Sequence, residues 1–246
     1  MGETRQPHLL LSREEACEYA VLPGDPQRVD RIAEYLTDVR CLHYNREFKS
    51  ISGFYKGVKI LCVSTGIGGV SMGIALEELH NIGVHTAIRV GSCGALQKNI
   101  RLGELILAEA AVRDDGTSRI YMELPYPGIA DARLLFDLME TAEKLGIPVH
   151  TGIIRSHDSF YTDREEEISA YWSEKGILGA DQETAALFVI GKLRKMRCAS
   201  ILNNVVCYGT DTAEGIGSYA QGESATGSGE QKEILLAHET LAKEAN

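Results

Sequence analysis

Three apolar segments of the chain each end in a glycine-containing turn, and this repetition constrains the fold more than any other feature of the sequence. Tyr19 to Leu22 is followed by Pro23-Gly24-Asp25-Pro26, and Val58 to Ser64 is followed by Thr65 to Gly69. A helical spacing of apolar residues begins after each of these two turns. Strands that alternate with helices predict an α/β protein whose mainly parallel sheet lies between layers of helices. In such sheets ligands bind beyond the carboxyl ends of the strands, where these glycines fall.

The third segment, Ala87 to Gln97, places one arginine in the middle of an apolar strand. Burial of the Arg89 guanidinium is unfavourable unless an anion meets it. The strand then ends in Gly91-Ser92-Cys93-Gly94, where small residues let a ligand approach backbone N–H groups and a hydroxyl. These residues predict the floor of an oxyanion site. The alternative is an arginine on an edge strand that reaches solvent, followed by an ordinary glycine turn.

A second arginine stands in the first turn of the helix that follows the first strand. Asp25 as the N-cap and Pro26 as the first helical residue are strong signals for the start of a helix. The helix dipole disfavours a cation at Arg28 unless an anion lies between the guanidinium and the helix N-terminus. Arg28 is therefore either a second anion contact or a solvated side chain that pairs with Asp25 or Asp30.

The composition predicts one soluble globular domain over residues 1–246. The hydrophobic fraction is 44%, and the sequence has neither an apolar run long enough to cross a membrane nor an N-terminal signal peptide. We therefore expect a cytoplasmic protein that does not bind membranes. A formal net charge of -10 argues against nonspecific nucleic-acid binding, but not against a small phosphorylated ligand in a pocket that contains arginines. The six cysteines form no C-x-x-C pair and no His/Cys cluster, so neither a disulfide framework nor a zinc site is predicted.

Two segments are predicted to lack regular structure. Residues 1–7 are polar, and we expect them to be frayed. Thr212 to Glu230 is rich in Gly, Ser, Ala and Thr and is too long for a routine connection. This composition predicts a mobile lid or a disordered loop, followed by a terminal helix over Gln231 to Ala242.

Four segments, taken in order, resemble the nucleoside phosphorylase superfamily, and most closely its uridine phosphorylase branch. They are Val21-Leu22-Pro23-Gly24-Asp25-Pro26-Gln27-Arg28-Val29, Ser64-Thr65-Gly66-Ile67-Gly68-Gly69, Arg89-Val90-Gly91-Ser92-Cys93-Gly94-Ala95 and Ser156-His157-Asp158-Ser159-Phe160-Tyr161. An ordered set of this kind is far more specific than a single glycine motif. The resemblance implies a three-layer α/β/α fold with a mixed central β-sheet. It also implies a pentosyltransferase that uses inorganic phosphate, without a further cofactor, to cleave a nucleoside to free base and pentose 1-phosphate.

The resemblance further implies a role for individual residues. For phosphate it implies Gly24, Arg28, Arg89 and Ser92, with Arg46 from a neighbouring subunit. For ribose it implies Ser92, Gln182 and Glu183, with His8 from a neighbouring subunit. For the base it implies Cys93, Gly94, Phe160, Arg164, Glu166 and Cys207. Arg89, Glu183 and Arg164 are the predicted catalytic residues, with Arg164 as the donor to the leaving base. The resemblance also implies a monovalent cation such as K⁺ at Glu47, Ile67 and Ser71, and a homo-oligomer of dimers, as in a hexamer.

Three departures from the family pattern leave the base open. Uridine phosphorylases read uracil with a glutamine and an arginine, whereas this chain has Arg164 and Glu166 at those positions. Bacterial purine nucleoside phosphorylases use an aspartate as general acid where this chain has Cys207. The Glu-Met-Glu ribose motif is altered to Asp181-Gln182-Glu183. A uridine phosphorylase-like enzyme is the first hypothesis. A purine nucleoside phosphorylase, a phosphate-independent nucleosidase and a noncatalytic nucleoside-binding or phosphate-binding protein are the alternatives.

Overall fold

Strands and helices alternate along residues 5–221 and 224–245, the part of the chain that the computed structural model describes. The strands are β1 (Tyr19–Pro23), β2 (Thr37–Asn45), β3 (Phe48–Tyr55), β4 (Val58–Val63), β5 (Thr86–Ala95), β6 (Leu105–Asp114), β7 (Gly128–Ile129), β8 (Val149–His157), β9 (Gly179–Asp181) and β10 (Arg197–Val206). The helices are α1 (Pro26–Ala33), α2 (Gly69–Ile82), α3 (Gly116–Tyr121), α4 (Ala132–Leu145), α5 (Glu165–Glu174), α6 (Thr184–Leu193), α7 (Thr212–Ala220) and α8 (Ser224–Glu244). Within these ranges no helix has the length and apolar character needed to cross a membrane.

The strands form one mixed sheet. β1 lies between β4 and β5 and is parallel to both, and β3 and β2 extend the sheet antiparallel beyond β4. β5 also pairs in parallel with β10 and antiparallel with β9. Because β6 and β8 connect β10 back to β9, this part of the sheet closes on itself. The mixed three-layer α/β/α fold that the resemblance implies is confirmed.

Successive residues of the central strands face opposite layers, as the alternation of side chains in a strand requires. Val21 of β1 packs in a cluster with Val29 of α1 and Leu236 of α8. Its neighbour Leu22 packs in a second cluster with Phe188 of α6, beside residues of α2. Each face of the sheet is therefore covered by its own group of helices.

The parallel register of β1, β4 and β5 brings the predicted glycine turns together at one edge. The N–H of Thr65 donates to the carbonyl of Pro23 at 2.8 Å, and the N–H of Gly66 donates to the carbonyl of Gly24 at 3.0 Å. Gly66 has a φ of 68°, and a Cβ at this position would lie 2.5 Å from Cγ of Glu47. Only glycine therefore fits here without strain.

Residues 212–230 are mostly helical, so the prediction of a disordered loop is wrong for the residues described. Asp211 caps α7 by accepting a hydrogen bond from the N–H of Glu214, and α8 begins at Ser224 rather than at residue 231. One of the small residues that suggested a loop, Gly229 of α8, is a packing contact, because a Cβ there would lie 2.1 Å from Oδ1 of Asn203 on β10. Residues 222 and 223 lie outside the described residues. Movement of α7 as a lid stays a prediction.

The start of the chain is held more firmly than the sequence predicts. Residues 1–4 lie outside the described residues. The N–H of Gln6 donates to the carbonyl of Leu11 at 2.8 Å, and Arg5 pairs with Glu15 at 2.9 Å. The prediction of a frayed segment is therefore wrong for Arg5 and Gln6.

Truncation of Phe188 tests the packing of α6 on the sheet. Its side chain is 1% exposed, so we expect Phe188→Ala to lower the free energy of unfolding by about 3–5 kcal/mol through lost burial and a residual cavity. Phe136→Ala on α4 is the matched control, because Phe136 is half-exposed and its loss should cost about 1 kcal/mol or less. Urea unfolding followed by circular dichroism measures both, and equal losses would contradict this assignment of the core.

Candidate active site

A cavity of about 1210 Å³ opens at the carboxyl ends of β1, β5 and β10. The predicted site residues that line it are Gly24, Arg28, Glu47, Ile67, Arg89, Ser92, Cys93, Gly94, Phe160, Glu166, Gln182, Glu183 and Cys207. The predicted residues outside this lining are His8, Arg46, Ser71 and Arg164. Residues far apart in sequence thus converge where a doubly covered parallel sheet binds its ligands.

Arg28 is 2% exposed and uses its N–H groups on protein partners. Nε donates to Glu230 at 2.9 Å, and Nη1 donates to the carbonyl of Val90 at 2.8 Å. Nη2 donates to Ser92 Oγ at 3.0 Å and to the hydroxyl of Tyr219. Burial alone would lower the pKa of Arg28, but the Glu233 carboxyl, Tyr219 and Glu230 raise it, so the guanidinium stays charged.

The alternative for Arg28, a solvated side chain paired with a neighbouring aspartate, is wrong. Asp25 instead pairs with Arg31 at 3.2 Å, and Asp30 pairs with Lys49 at 2.6 Å. Arg28 is a buried residue of the cavity wall, and its Nη2 atom donates to Tyr219 and Ser92, which line the same cavity.

Arg89 is buried on an interior strand, so the alternative of an edge-strand arginine that reaches solvent is wrong. Its Nε donates to Asp181 at 3.2 Å and its Nη2 donates to Glu183 at 2.5 Å. Nη1 has no hydrogen-bond partner among the described residues, and a Cβ built on Gly24 would lie 3.9 Å from it. A buried cationic N–H without an acceptor, directed at a glycine turn, indicates a site for an anion.

Glu183 connects the arginine to the second glycine turn. One of its oxygens accepts from Arg89, and the other accepts from the N–H of Gly68 at 2.6 Å. Burial raises the pKa of Glu183, Arg89 opposes this rise, and the charge of Asp181 adds to it. The carboxyl group therefore lines the cavity in a defined orientation, beside the guanidinium whose Nη1 has no partner among the described residues.

Asp181 connects the start of α6 to Arg89. It accepts from the N–H and the hydroxyl of Thr184 at the start of α6, and from Ser156 Oγ at 2.6 Å. Its remaining contact is Arg89 Nε. Asp181 therefore fixes the guanidinium of Arg89 relative to α6.

Aromatic and acidic side chains line the part of the cavity formed by β8 and α5. The rings of His157 and Phe160 lie 6.2 Å apart, and Tyr161, Glu165 and Glu166 complete this wall. Burial lowers the pKa of His157, and the charge of Arg155 lowers it further, so this ring is neutral near pH 7. The wall offers flat apolar faces and carboxylate acceptors.

Arg164 is directed away from the cavity. Its guanidinium pairs with Glu167 at 2.8 Å, and its side chain is 69% exposed. The contacts of Arg164 therefore give no support to its predicted role as donor to the leaving base, and that role stays a prediction.

His8 and Arg46, the residues predicted to act across a subunit interface, lie on the surface. His8 Nδ1 contacts Glu78 at 2.7 Å and its side chain is partly exposed. Arg46 has a φ of 56° in the turn between β2 and β3. Both are accessible to a second copy of the chain, and their roles stay predictions.

The predicted monovalent cation site contains one hydroxyl and one carboxylate in contact. Ser71 Oγ donates to Glu47 Oε1 at 2.8 Å, and Ile67 lies exposed beside them. Among the described residues no group of three or more His, Cys, Asp and Glu side chains could hold a metal ion. A cation held by one carboxylate and neutral oxygens stays a prediction.

Two cysteines line the cavity. Cys93 is buried, and burial raises the pKa of its thiol, with further contributions from Asp181 and Glu233. Thiolates are the reactive form of cysteine, so Cys93 is a small wall residue. Cys207 lines the cavity at the end of β10, and its predicted contact with a base stays a prediction.

Sequence reasoning missed three residues around Arg28, namely Tyr219, Glu230 and Glu233. The hydroxyl of Tyr219 donates to Glu230, and Glu233 Oε1 lies 3.0 Å from Arg28 Nη1. Tyr219 lies on α7 and both acids lie on α8, within or just beyond the segment predicted to be a loop. The signal that could have found them is the spacing of two acids three residues apart, which places both on one face of a helix.

The chain is similar to known proteins over most of its length. Residues 18–230 match the family described as Phosphorylase superfamily. The crystal structure of uridine phosphorylase from Vibrio fischeri ES114 superimposes with a TM-score of 0.92 at 45% identity, covering 98% of this chain and 98% of that chain. Purine nucleoside phosphorylase from Toxoplasma gondii in complex with immucillin-H superimposes with a TM-score of 0.88 at 27% identity, covering 100% and 99% of the two chains. Guanosine phosphorylase from Halorubrum lacusprofundi is 38% identical over 197 residues, which are 80% of this chain and 81% of the relative.

Replacement of Arg89 tests the anion site. Lysine keeps the charge but loses the planar fork, so we expect Arg89→Lys to weaken binding of inorganic phosphate by about tenfold or more. Arg194→Lys is the matched control, because Arg194 makes a surface pair with Glu77 at 2.7 Å, and it should bind phosphate as the wild type does. Isothermal titration calorimetry measures both, and thermal unfolding checks that each variant folds. Unchanged phosphate affinity in a folded Arg89→Lys would contradict the assignment.

Proposed function

Because the chain belongs to the phosphorylase superfamily, we propose that it catalyses the phosphate-dependent cleavage of the N-glycosidic bond of a nucleoside. The products are the free base and ribose or deoxyribose 1-phosphate, so the enzyme is a pentosyltransferase. The observation that carries this proposal is the unpartnered Nη1 of Arg89 beside Gly24. Relatives named uridine, guanosine and purine nucleoside phosphorylases support it.

The geometry gives each side chain a task in this reaction. Cleavage of the glycosidic bond builds positive charge on the sugar, so a phosphate held below C1′ stabilises that charge and then bonds to C1′. Arg89, Ser92 and the N–H groups near Gly24 hold the phosphate. Glu183, with its carboxyl fixed by Gly68 and Arg89, accepts hydrogen bonds from the ribose hydroxyls and orients the sugar. The base leaves toward Phe160 and His157.

The active site is proposed to be completed by a second copy of the chain. His8 and Arg46 are accessible on the surface rather than in the cavity. Exposed apolar side chains are also present at the start of α2 and on α3, namely Ile67, Val70 and Ile120. A homo-oligomer of dimers that buries these side chains would bring His8 to the ribose and Arg46 to the phosphate. The cytoplasm as location, K⁺ at Glu47 and one domain over residues 1–246 are parts of the same proposal.

Omission of phosphate tests the reaction class. We expect release of base from the preferred nucleoside to fall by about 100-fold or more in phosphate-free buffer, because the arginine-bound anion is the nucleophile. Chromatography of base and sugar products measures this. Undiminished cleavage without phosphate would indicate a nucleosidase, and binding of nucleosides without any turnover would indicate a noncatalytic binding protein.

Uridine is the first candidate substrate, and one observation favours a purine nucleoside as the second. Glu165 and Glu166 line the cavity beside Phe160, where carboxylates can only accept hydrogen bonds. Guanine presents adjacent N1–H and amino donors, which one carboxylate can accept together. Uracil presents one N–H between two carbonyl oxygens, and those oxygens would be repelled by a carboxylate. The acidic wall thus favours a base with two adjacent donors.

A Glu166→Gln variant distinguishes these two candidates. If Glu166 accepts hydrogen bonds from guanine, the variant should lower the ratio of kcat/KM for guanosine over kcat/KM for uridine by about tenfold or more. The reason is that the two adjacent donors of guanine lose their charged acceptor. Glu174→Gln, at the other end of α5, is the matched control and should leave the ratio unchanged. An unchanged ratio in Glu166→Gln would remove the support for a purine, as would wild-type preference for uridine in a screen of both nucleosides.

A further inference from the structure

Glu233 is a buried acid that the proposed reaction does not use directly. Glu233 is 0% exposed, and its Oε1 lies 3.0 Å from Nη1 of Arg28. Nη1 also donates to the carbonyl of Val90, and its contact with Glu233 is an ion pair without hydrogen-bond geometry. Within residues 5–221 and 224–245, neither oxygen of Glu233 accepts a hydrogen bond of good geometry. Burial of a fully ionised carboxylate in this environment would carry a large cost in desolvation free energy.

A second buried acceptor without a donor faces the same turn of α8. Asn203 of β10 donates from Nδ2 to the carbonyl of Thr226, while its Oδ1 has no donor among the described residues. That oxygen packs against Gly229, where a Cβ would lie 2.1 Å from it. Gly229 lies one helical turn before Glu233. A proton on Glu233 removes the buried negative charge and adds a donor one helical turn away from this unpartnered acceptor.

The charges around the cavity also favour a protonated Glu233. Arg28 is paired with Glu230 and Glu233, and Arg89 is paired with Asp181 and Glu183. If all four carboxyl groups were ionised, negative charge would outnumber positive charge at a site that must accept an anion. Coulomb repulsion in a buried site would then oppose phosphate binding. A neutral acid behind Arg28 leaves more of the guanidinium charge for the ligand.

We propose that Glu233 is a positioning residue that carries a proton when phosphate binds, so that it supports Arg28 without cancelling its charge. Ionisation of Glu233 then weakens the binding of phosphate and of similar oxyanions. This inference rests on the proposed function, because it takes the Arg28 and Arg89 site to be the phosphate site.

The groups around Glu233 agree with this role. Burial raises the pKa of Glu233 to about 8, Arg28 opposes this rise, Glu230 adds to it, and Arg89 opposes it. The backbone N–H of Asn203, which lies near the carboxyl group without good hydrogen-bond geometry, lowers the pKa least. The other titratable groups that sense its charge are Tyr219 of α7 and Cys93 of β5. Because the acid is protonated below its pKa, anion affinity should be highest at lower pH and should fall as the pH rises through about 8.

Sulfate binding to the intact protein tests the proposal without turnover. Sulfate keeps its charge over the range studied, so a change in its dissociation constant reports the protein. Calorimetric titrations from about pH 6.5 to about pH 9.5 are compared for wild type, Glu233→Gln and Glu239→Gln. Glutamine has the shape of the protonated acid. Glu239 is the matched control on α8, because it pairs with Lys56 at 2.7 Å away from the cavity.

We expect the sulfate dissociation constant of the wild type and of Glu239→Gln to rise by about tenfold more across this range than that of Glu233→Gln. Titration of Glu183 is common to all three proteins, so the difference isolates Glu233. The proposal is overturned if Glu233→Gln has the pH dependence of the wild type, or if it fails to bind sulfate at the lowest pH. If the wild type binds neither sulfate nor phosphate, the proposed function itself fails.

Thermal unfolding without ligand gives a second, independent measurement. A buried acid with a raised pKa is protonated in the native state and ionised in the unfolded state at neutral pH, so it makes stability fall as the pH rises toward about 8. Glutamine does not titrate. We therefore expect the Tm of Glu233→Gln to exceed that of the wild type by about 3 °C or more near pH 8, with a smaller difference near pH 5. A lower Tm for Glu233→Gln at every pH would show that the native state needs the carboxylate and would overturn the proposal.

Discussion

The rest of the site depends on the burial of two guanidinium groups at the carboxyl edge of one sheet. A buried cation is tolerated only when carboxylates and hydrogen-bond acceptors compensate for the loss of water. Arg28 takes its acceptors from α8, α7 and β5, and Arg89 takes its acceptors from the segment between β9 and α6. The two arginines therefore tie both helical layers to the sheet. Arg89 Nη1, which has no hydrogen-bond partner among the described residues, is directed where the anion is proposed to bind.

Neutralisation of these arginines creates a conflict with anion binding, and the arrangement of acids resolves it. Carboxylates that stabilise a buried guanidinium also reduce the positive potential that a phosphate meets. Burial raises the pKa values of Glu183 and Glu233, whereas Arg28 and Arg31 hold the pKa of Glu230 low. Beside Arg28, Glu233 can thus carry a proton while Glu230 remains ionised. The protein preserves both the packing of the arginines and a net attraction for the ligand.

The sequence predicted the features whose causes are local or whose order along the chain is distinctive. Arg89 in an apolar strand predicted an anion site, and the four ordered segments predicted the superfamily and the mixed α/β/α fold. The partners of Arg28 could not be predicted, because Glu230 is 202 residues away and pairing depends on how α8 crosses β10. The same packing explains why small residues such as Gly229 suggested a loop where the structure has a helix. The surface pair of Arg164 with Glu167 likewise depends on side-chain conformation rather than on position in a motif.

The central claim is that an anion held by Arg89, with Arg28 as a buried supporting charge, attacks C1′ of a nucleoside. The most direct test is a reaction in unlabelled water with inorganic phosphate that carries a heavy isotope of oxygen. Mass spectrometry of the sugar product then identifies the origin of the oxygen bonded to C1′. The account predicts pentose 1-phosphate whose C1′ oxygen carries the phosphate label. Free pentose with a C1′ oxygen from water, at the same rate with or without phosphate, would contradict it.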